Sequence, residues 1–179
     1  AAPLGKLQSL AGQVSIRETN GQLTPAVSGT IVRYGQAILV ESEDSSAELQ
    51  LDDGSTLLVE ADSVLVLPSS ASVITSAKEH ARPRFYLERG GLCVQANIAP
   101  NQQPLLLTTA QALIKVLGTE CRLYADAHES RLELNEGSVQ LCRQADQQEI
   151  VVSAGEYATI PAALVNQELE PLAARSLSA

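Results

Sequence analysis

An all-β fold is predicted for this chain, either a sandwich or an irregular solenoid-like stack of short strands. Three observations predict it. Apolar and polar residues alternate with a period of two along most of the chain, glycine recurs where one run gives way to the next, and helix signals are scarce. The runs "AGQVSIRE" and "SSAELQLDDGSTLLVEADSVLVL" show the alternation. In the second, Ala47, Leu49 and Leu51 share one face, Asp52, Asp53 and Gly54 form a tight turn, and Leu57 and Val59 resume the apolar side. Asp-Gly between alternating runs is a strong hairpin signal.

The same pattern returns at "FYLERGGLCVQA", "RLELNEGSVQLC" and "EIVVSAGEYATI". Leu132 and Leu134 point one way, Asn135 to Gly137 turn the chain, and Val139 with Leu141 continue. Glycine stands at the corners, at Gly12, Gly35, Gly54, Gly90, Gly118, Gly137 and Gly155, because it accepts positive φ without a Cβ clash. No strict repeat period emerges, which disfavours a long regular solenoid. The small, polar and then basic stretch 68–84 reads as a connection between halves at about 10–67 and 85–160, within one domain over 1–160. The tail, 161–179, is rich in Ala and Leu and contains Pro171. It reads as a short helix or a loosely held strap, and the sequence leaves both open.

Composition bounds the function. The 179 residues are long enough to bury roughly 70% of the unfolded surface, so neither metal nor disulfide is required for folding. Hydrophobic residues make up 45% but aromatics only 3%, with one Phe and no Trp. Val, Leu, Ile and Ala must therefore build the core, which suits thin stacked sheets better than a deep aromatic pocket. The net charge of −9 argues against nucleic acid and against anionic lipid surfaces. No window reaches the roughly 20 apolar residues of a spanning helix, so no direct membrane insertion is expected. The chain lacks Met and opens "AAPLG", small residues of the kind found near a signal-peptidase cut. A periplasmic or secreted location is the expectation.

Three stretches carry a family likeness: "YGQAILVESEDSSAELQLDDGSTLLVEADSVLVL", "LERGGLCVQA" and "TTAQALIKVLGTECRLYADAHESRLELNEGSVQL". Through the ordered D-G-S, G-T-x-F and E-G-x-V elements, roughly residues 12–160 resemble the FecR-type domain, named after the periplasmic regulator of ferric citrate uptake. Gly54, Gly118, Thr119 and Gly137 are the motif positions, and Cys121 stands where the family has Phe. The resemblance implies an all-β, non-catalytic, extracytoplasmic module without cofactor. It also implies a part in envelope signalling or sigma-factor regulation. The expected partner is another envelope protein or envelope component, met at an exposed sheet edge by strand addition.

Three cysteines leave at least one thiol unpaired within the chain. By the family pattern Cys121 shares the inward face with Leu123 and is expected as a buried free thiol. Parity puts Cys93 and Cys142 on the other face, and they are the expected disulfide. A nucleophilic cysteine needs an imidazole or cation to lower its pKa, and Glu120 beside Cys121 works against that. His80 in the connection and His128 in "ADAHES" lack metal-ligand spacing. The acidic clusters Glu41–Asp44 and Asp52–Asp53 lack the spacing of a calcium loop. The basic run Lys78–Arg84 reads as a solvated linker. No catalytic, cofactor-binding or metal site is expected. The alternative is a secreted carbohydrate- or peptidoglycan-binding domain, which would need exposed rings among Tyr34, Phe85, Tyr86, Tyr124 and Tyr157. A polysaccharide-lyase-like parallel-β enzyme would need converging carboxylates that the pattern does not supply.

Overall fold

The computed structural model describes residues 3–51, 54–68, 84–96, 105–162 and 171–177. Among them the period-two runs form fifteen strands and no helix. The chain first lays down β1 (Pro3–Ala11), β2 (Val14–Arg17), β3 (Leu23–Pro25), β4 (Ile31–Arg33) and β5 (Ala37–Val40). Next come β6 (Ser46–Leu51), β7 (Thr56–Val59), β8 (Ser63–Val66) and the long β9 (Arg84–Gln95). β10 (Leu105–Thr108), β11 (Ala112–Ala125) and β12 (Glu129–Arg143) follow, then β13 (Glu149–Ser153), β14 (Glu156–Pro161) and β15 (Arg175–Ser176).

Strands β9, β11 and β12 bend midway, and the two halves of each pair with different neighbours. A front ladder runs β4–β1–β6–β7–β9–β11–β12–β14–β15. It takes the second halves of β9 and β11 and the first half of β12. A back ladder runs β3–β2–β5–β8–β9–β10–β11–β12–β13 through the other halves. All neighbours are antiparallel except β9 and β10. This is the all-β stack of short strands with glycine corners that the sequence predicts.

The apolar residues of each run face inward and meet in one core. Leu7, Leu49, Leu57, Leu92, Leu123 and Leu132 come from the front ladder. Ile16, Ile38, Leu65, Phe85, Ile114 and Leu141 come from the back. Burying each such side chain contributes about 1.5–3 kcal/mol. With a single Phe in the chain, close packing depends on branched aliphatics that interdigitate at short range.

One corner shows why glycine is required. Gly90, at φ +96°, bends β9 against Ser63, and a Cβ there would stand 2.1 Å from Ser63 Oγ. The buried hydroxyl uses that space to accept the Gly91 N–H at 2.9 Å. The arrangement repeats at Gly12, where the next residue, Gln13, donates its N–H to Ser45 Oγ at 2.8 Å.

β9, which opens the expected C-terminal half, pairs with β7 and β8 on one side and with β10 and β11 on the other. Among the described residues no other strand pairing joins the two halves. Each lateral side of the sandwich is crossed by a strap. Residues 23–33 form one, anchored by Ala26, whose N–H bonds Val14 O at 3.0 Å. Residues 171–177 form the other, with Leu172 and Ala174 packed on the core and β15 paired to β14. The described part of the tail is thus extended and contains no helix.

Candidate functional site

The three cysteines differ in surroundings: Cys93 and Cys121 lie on neighbouring strands with opposite facing, and Cys142 lies in the back ladder. Cys121 is buried beside Leu123 in the core. Burial pushes its thiol up to about 12. The expected Cys93–Cys142 disulfide is not formed, and all three cysteines are free. The register explains this. Cys93 pairs with Arg122 of β11, whereas Cys142 pairs with Leu113 of the same strand. Nine residues of β11 separate the two positions, roughly 30 Å at strand rise, far beyond the ~7 Å Cα separation a disulfide tolerates. Because β11 spans both ladders, a shared parity does not mean proximity. Cys142 is buried on its face and Cys93 half-buried.

Cys93 belongs to a cross-strand row on the outer face of the front ladder. Leu58, Cys93, Arg122, Glu133, Tyr157 and Arg175 are successive register partners across β7, β9, β11, β12, β14 and β15. Glu60 reaches into this row from the turn after β7. Arg122 grips its carboxylate with two bonds, Nε to Oε1 at 2.8 Å and Nη2 to Oε2 at 2.6 Å. The Cys93 thiol donates to Oε1 at 3.1 Å. Room for the carboxylate comes from the bare Cα of Gly91, where a Cβ would lie 2.8 Å from Glu60 Oε2. Burial works to raise the Glu60 carboxyl. The bonds from Arg122 and Cys93 and the Arg122 charge outweigh it and hold the group below its usual value. Burial, followed by the bond and charge of Glu60, pushes the Cys93 thiol up to about 11. The cysteine is thereby kept protonated and is a poor nucleophile.

Two guanidinium–ring stacks extend the row. Arg122 lies over Tyr124 at 4.7 Å and Arg131 over Tyr157 at 4.1 Å. Arg131 also donates to Glu133 at 3.0 Å. Tyr124 and Arg131 are register partners. Next to them is a shallow depression of about 560 Å3, lined by Glu60, Asp62, Tyr124, Glu129, Arg131 and Glu133. The side chains are held by one another before any partner arrives. The arrangement suits recognition by planar, charge-assisted contacts and offers no activated nucleophile.

The other predicted positions fall as follows. Gly54 and Gly137 have positive φ at their corners, 89° and 77°. Gly118 lies in β11 where its register to β12 shifts. Thr119 is buried there and donates to Ser138 O at 3.2 Å. His128 is exposed in the β11–β12 hairpin, where Asp126 Oδ1 accepts the N–H groups of His128 and Glu129. Tyr34 packs against the core, Phe85 is fully buried and Tyr86 is half-buried. His80, most of the Lys78–Arg84 run and the Asp52–Asp53 pair lie outside the described residues. Among the described residues no group of three His, Cys, Asp or Glu could hold a metal ion.

Sequence reasoning missed the Glu60–Arg122–Cys93 cluster and the two stacks. The i, i+2 spacing of Arg122 with Tyr124 and of Arg131 with Glu133 signals an outward face. The reach of Glu60 to Arg122 across 62 residues has no local signal.

Comparison with known proteins agrees with this architecture. Two crystal structures of a candidate anti-sigma factor from Parabacteroides distasonis ATCC 8503, at 2.50 Å and 1.65 Å resolution, superpose with a TM-score of 0.60 at 18% identity. The match covers 78% of this chain and 59% of that one, so the chain spans little more than half the length of its structural neighbour. No curated protein matches the chain. The FecR protein family matches residues 38–140, from β5 through the bend of β12, which includes the glycines at 54, 90, 118 and 137 and the row from Leu58 to Glu133. The chain therefore belongs to the FecR family.

Proposed function

We propose that this chain is a non-enzymatic, extracytoplasmic protein-interaction module of envelope signalling, acting in the regulation of sigma factors. On this reading the outer face of β11, β12 and β14 receives a partner protein of the envelope. The observation that carries the proposal is the preassembled surface of Arg122, Tyr124, Arg131 and Tyr157 around the depression. Tyr and Arg are the residue types most enriched at the energetic centres of protein interfaces. Membership of the FecR family and the fold shared with a candidate anti-sigma factor support the same reading. Strand addition at β3 is disfavoured because Pro25 has no N–H to donate, and β15 is only two residues long. The carbohydrate alternative loses support because the Tyr124 and Tyr157 rings each carry a guanidinium on one face, where a sugar would stack.

Site-specific photo-crosslinking from position 157, in cells that make the protein in its native envelope, tests the proposal. The expected result is a discrete protein adduct that weakens at least tenfold in Arg131→Ala. Adducts that form equally well in that variant, or only from positions on the back ladder, would overturn the assignment of the face.

A further inference from the structure

The two lateral sides of the sandwich differ in charge and in exposed apolar surface. Over residues 1–40, Lys6, Arg17 and Arg33 face a single carboxylate, Glu18, in a chain that otherwise carries a strong acidic excess. The strap on this side exposes Leu23, Val27 and Ile31 at 51%, 66% and 51%. No residue from Gly21 to Val32 is charged. On the opposite side β13 exposes Val151 at 60%, between the carboxylates of Glu149 and Glu156. Each side also has an open ladder edge, since β4 pairs with β1 alone and β13 with β12 alone.

The backbone of both edges is oriented for pairing. Thr30 O accepts the Leu7 N–H of β1, so the neighbouring Ile31 directs its N–H and C=O to the open side. On β13 the Ser153 N–H points away from β12 to Glu156 Oε1, and two-residue periodicity gives Val151 the same direction.

We propose that the β4 edge of one copy receives the β13 edge of a second copy, antiparallel and head to tail, with Ile31 opposite Val151. One register matches the side chains at three successive positions, with the Arg33 N–H exchanging its present acceptor, Gln36 Oε1 at 2.7 Å, for the partner strand. Arg33 then faces Glu149, Val32 faces the half-buried Ile150, and the two exposed aliphatics cover each other. Opposite charges and paired aliphatics directly across a ladder are the contacts that stabilise antiparallel pairs. A contact between unlike surfaces does not close on itself, so it propagates through further copies rather than stopping at a dimer. This proposal is independent of the Arg122 face, none of whose residues lies in β4 or β13.

Sedimentation velocity on the whole chain tests it, at concentrations rising to the order of 1 mM because so small a contact is weak. The expected result is a mass that grows past two copies and falls when added salt screens the Arg33–Glu149 pair. Ile31→Asp and Val151→Asp should each sediment as monomers with unchanged urea midpoints, because both positions are exposed. An equimolar mixture of the two variants retains one intact β4 edge and one intact β13 edge, and should double in mass and stop there. A wild-type monomer throughout, an assembly that ends at two copies, or a mixture that stays monomeric would each overturn the proposal.

Discussion

The two straps do the same structural job with opposite surface chemistry. Both cross from one ladder to the other, and both send small or aliphatic side chains into the core: Ala26 on the N-terminal side, Leu172 and Ala174 on the C-terminal side. Outward, the first exposes Leu23, Val27 and Ile31, while the second exposes Pro171, Ala173, Arg175 and Ser176. Closing a sandwich therefore does not require apolar residues on the solvent face of a strap. Those at positions 23, 27 and 31 are exposed instead of packed on the core, the feature on which the proposed β4–β13 pairing draws.

Four measurements sharpen or break this comparison. The largest effect is expected at the strand between the two sides. Phe85→Ala in β9 should cost about 3–5 kcal/mol. Both halves should unfold in one transition, because every ladder path joining them passes through β9. Separate urea transitions for the two halves would break the comparison at its base. Next, Leu172→Ala should lower stability by about 2–5 kcal/mol, whereas Val27→Ser should stay within about 0.5 kcal/mol. Equal costs at the two straps would show that Val27 is structural.

A smaller effect concerns the Cys93 thiol. Its alkylation rate should rise with a midpoint near pH 11. In Glu60→Ala the midpoint should fall by about one unit, since a hydrogen-bond acceptor and a negative charge are both removed while burial remains. A midpoint that did not move would remove Glu60 as a cause.

The smallest effect lies near the C-terminal edge, where Arg143 holds Asp146 by two bonds at 3.0 and 2.7 Å. The Arg143 hydrogen bonds lower the Asp146 carboxyl to about 2. Because the folded value lies below the unfolded one, the contribution is complete above the ordinary carboxyl range and fades as pH falls through about 2. Asp146→Asn should flatten the acid side of the stability–pH curve in that window, and an unchanged slope would count against the pair.

Much of the fold was legible because a period of two is a local property. Leu132 and Leu134, or Ala47 and Leu49, declare their face within a few residues, and Gly54 declares its turn, whereas the turn expected at Asn135–Gly137 is a bend inside the continuous strand β12. The disulfide was misread because proximity is not local. Cys93 and Cys142 share a facing rule but sit at opposite ends of a strand that changes ladders near Gly118. The Arg122 face was half legible. Arg122 with Tyr124 could be read as outward neighbours, but the reach of Glu60 past Gly91 depends on the β7–β8 turn lying beside the β9 bend. The Pro171 tail was left open by its sequence, and only the seating of Leu172 in the core shows it to be a strap.

The position of β9 has a mechanical consequence. Eight strands hang from one of its margins and six from the other, among the described residues, and nothing else in the ladder network bridges them. Among the hydrogen-bonded ladders, load shared between the flanks runs through this strand and the Gly90 bend against Ser63, beside the Glu60–Arg122 pair and the common core. Tension that straightened the bend would withdraw Gly91 from Glu60 and disturb the grip of Arg122. The bend of β9 and the Glu60–Arg122 pair are thus parts of one local geometry.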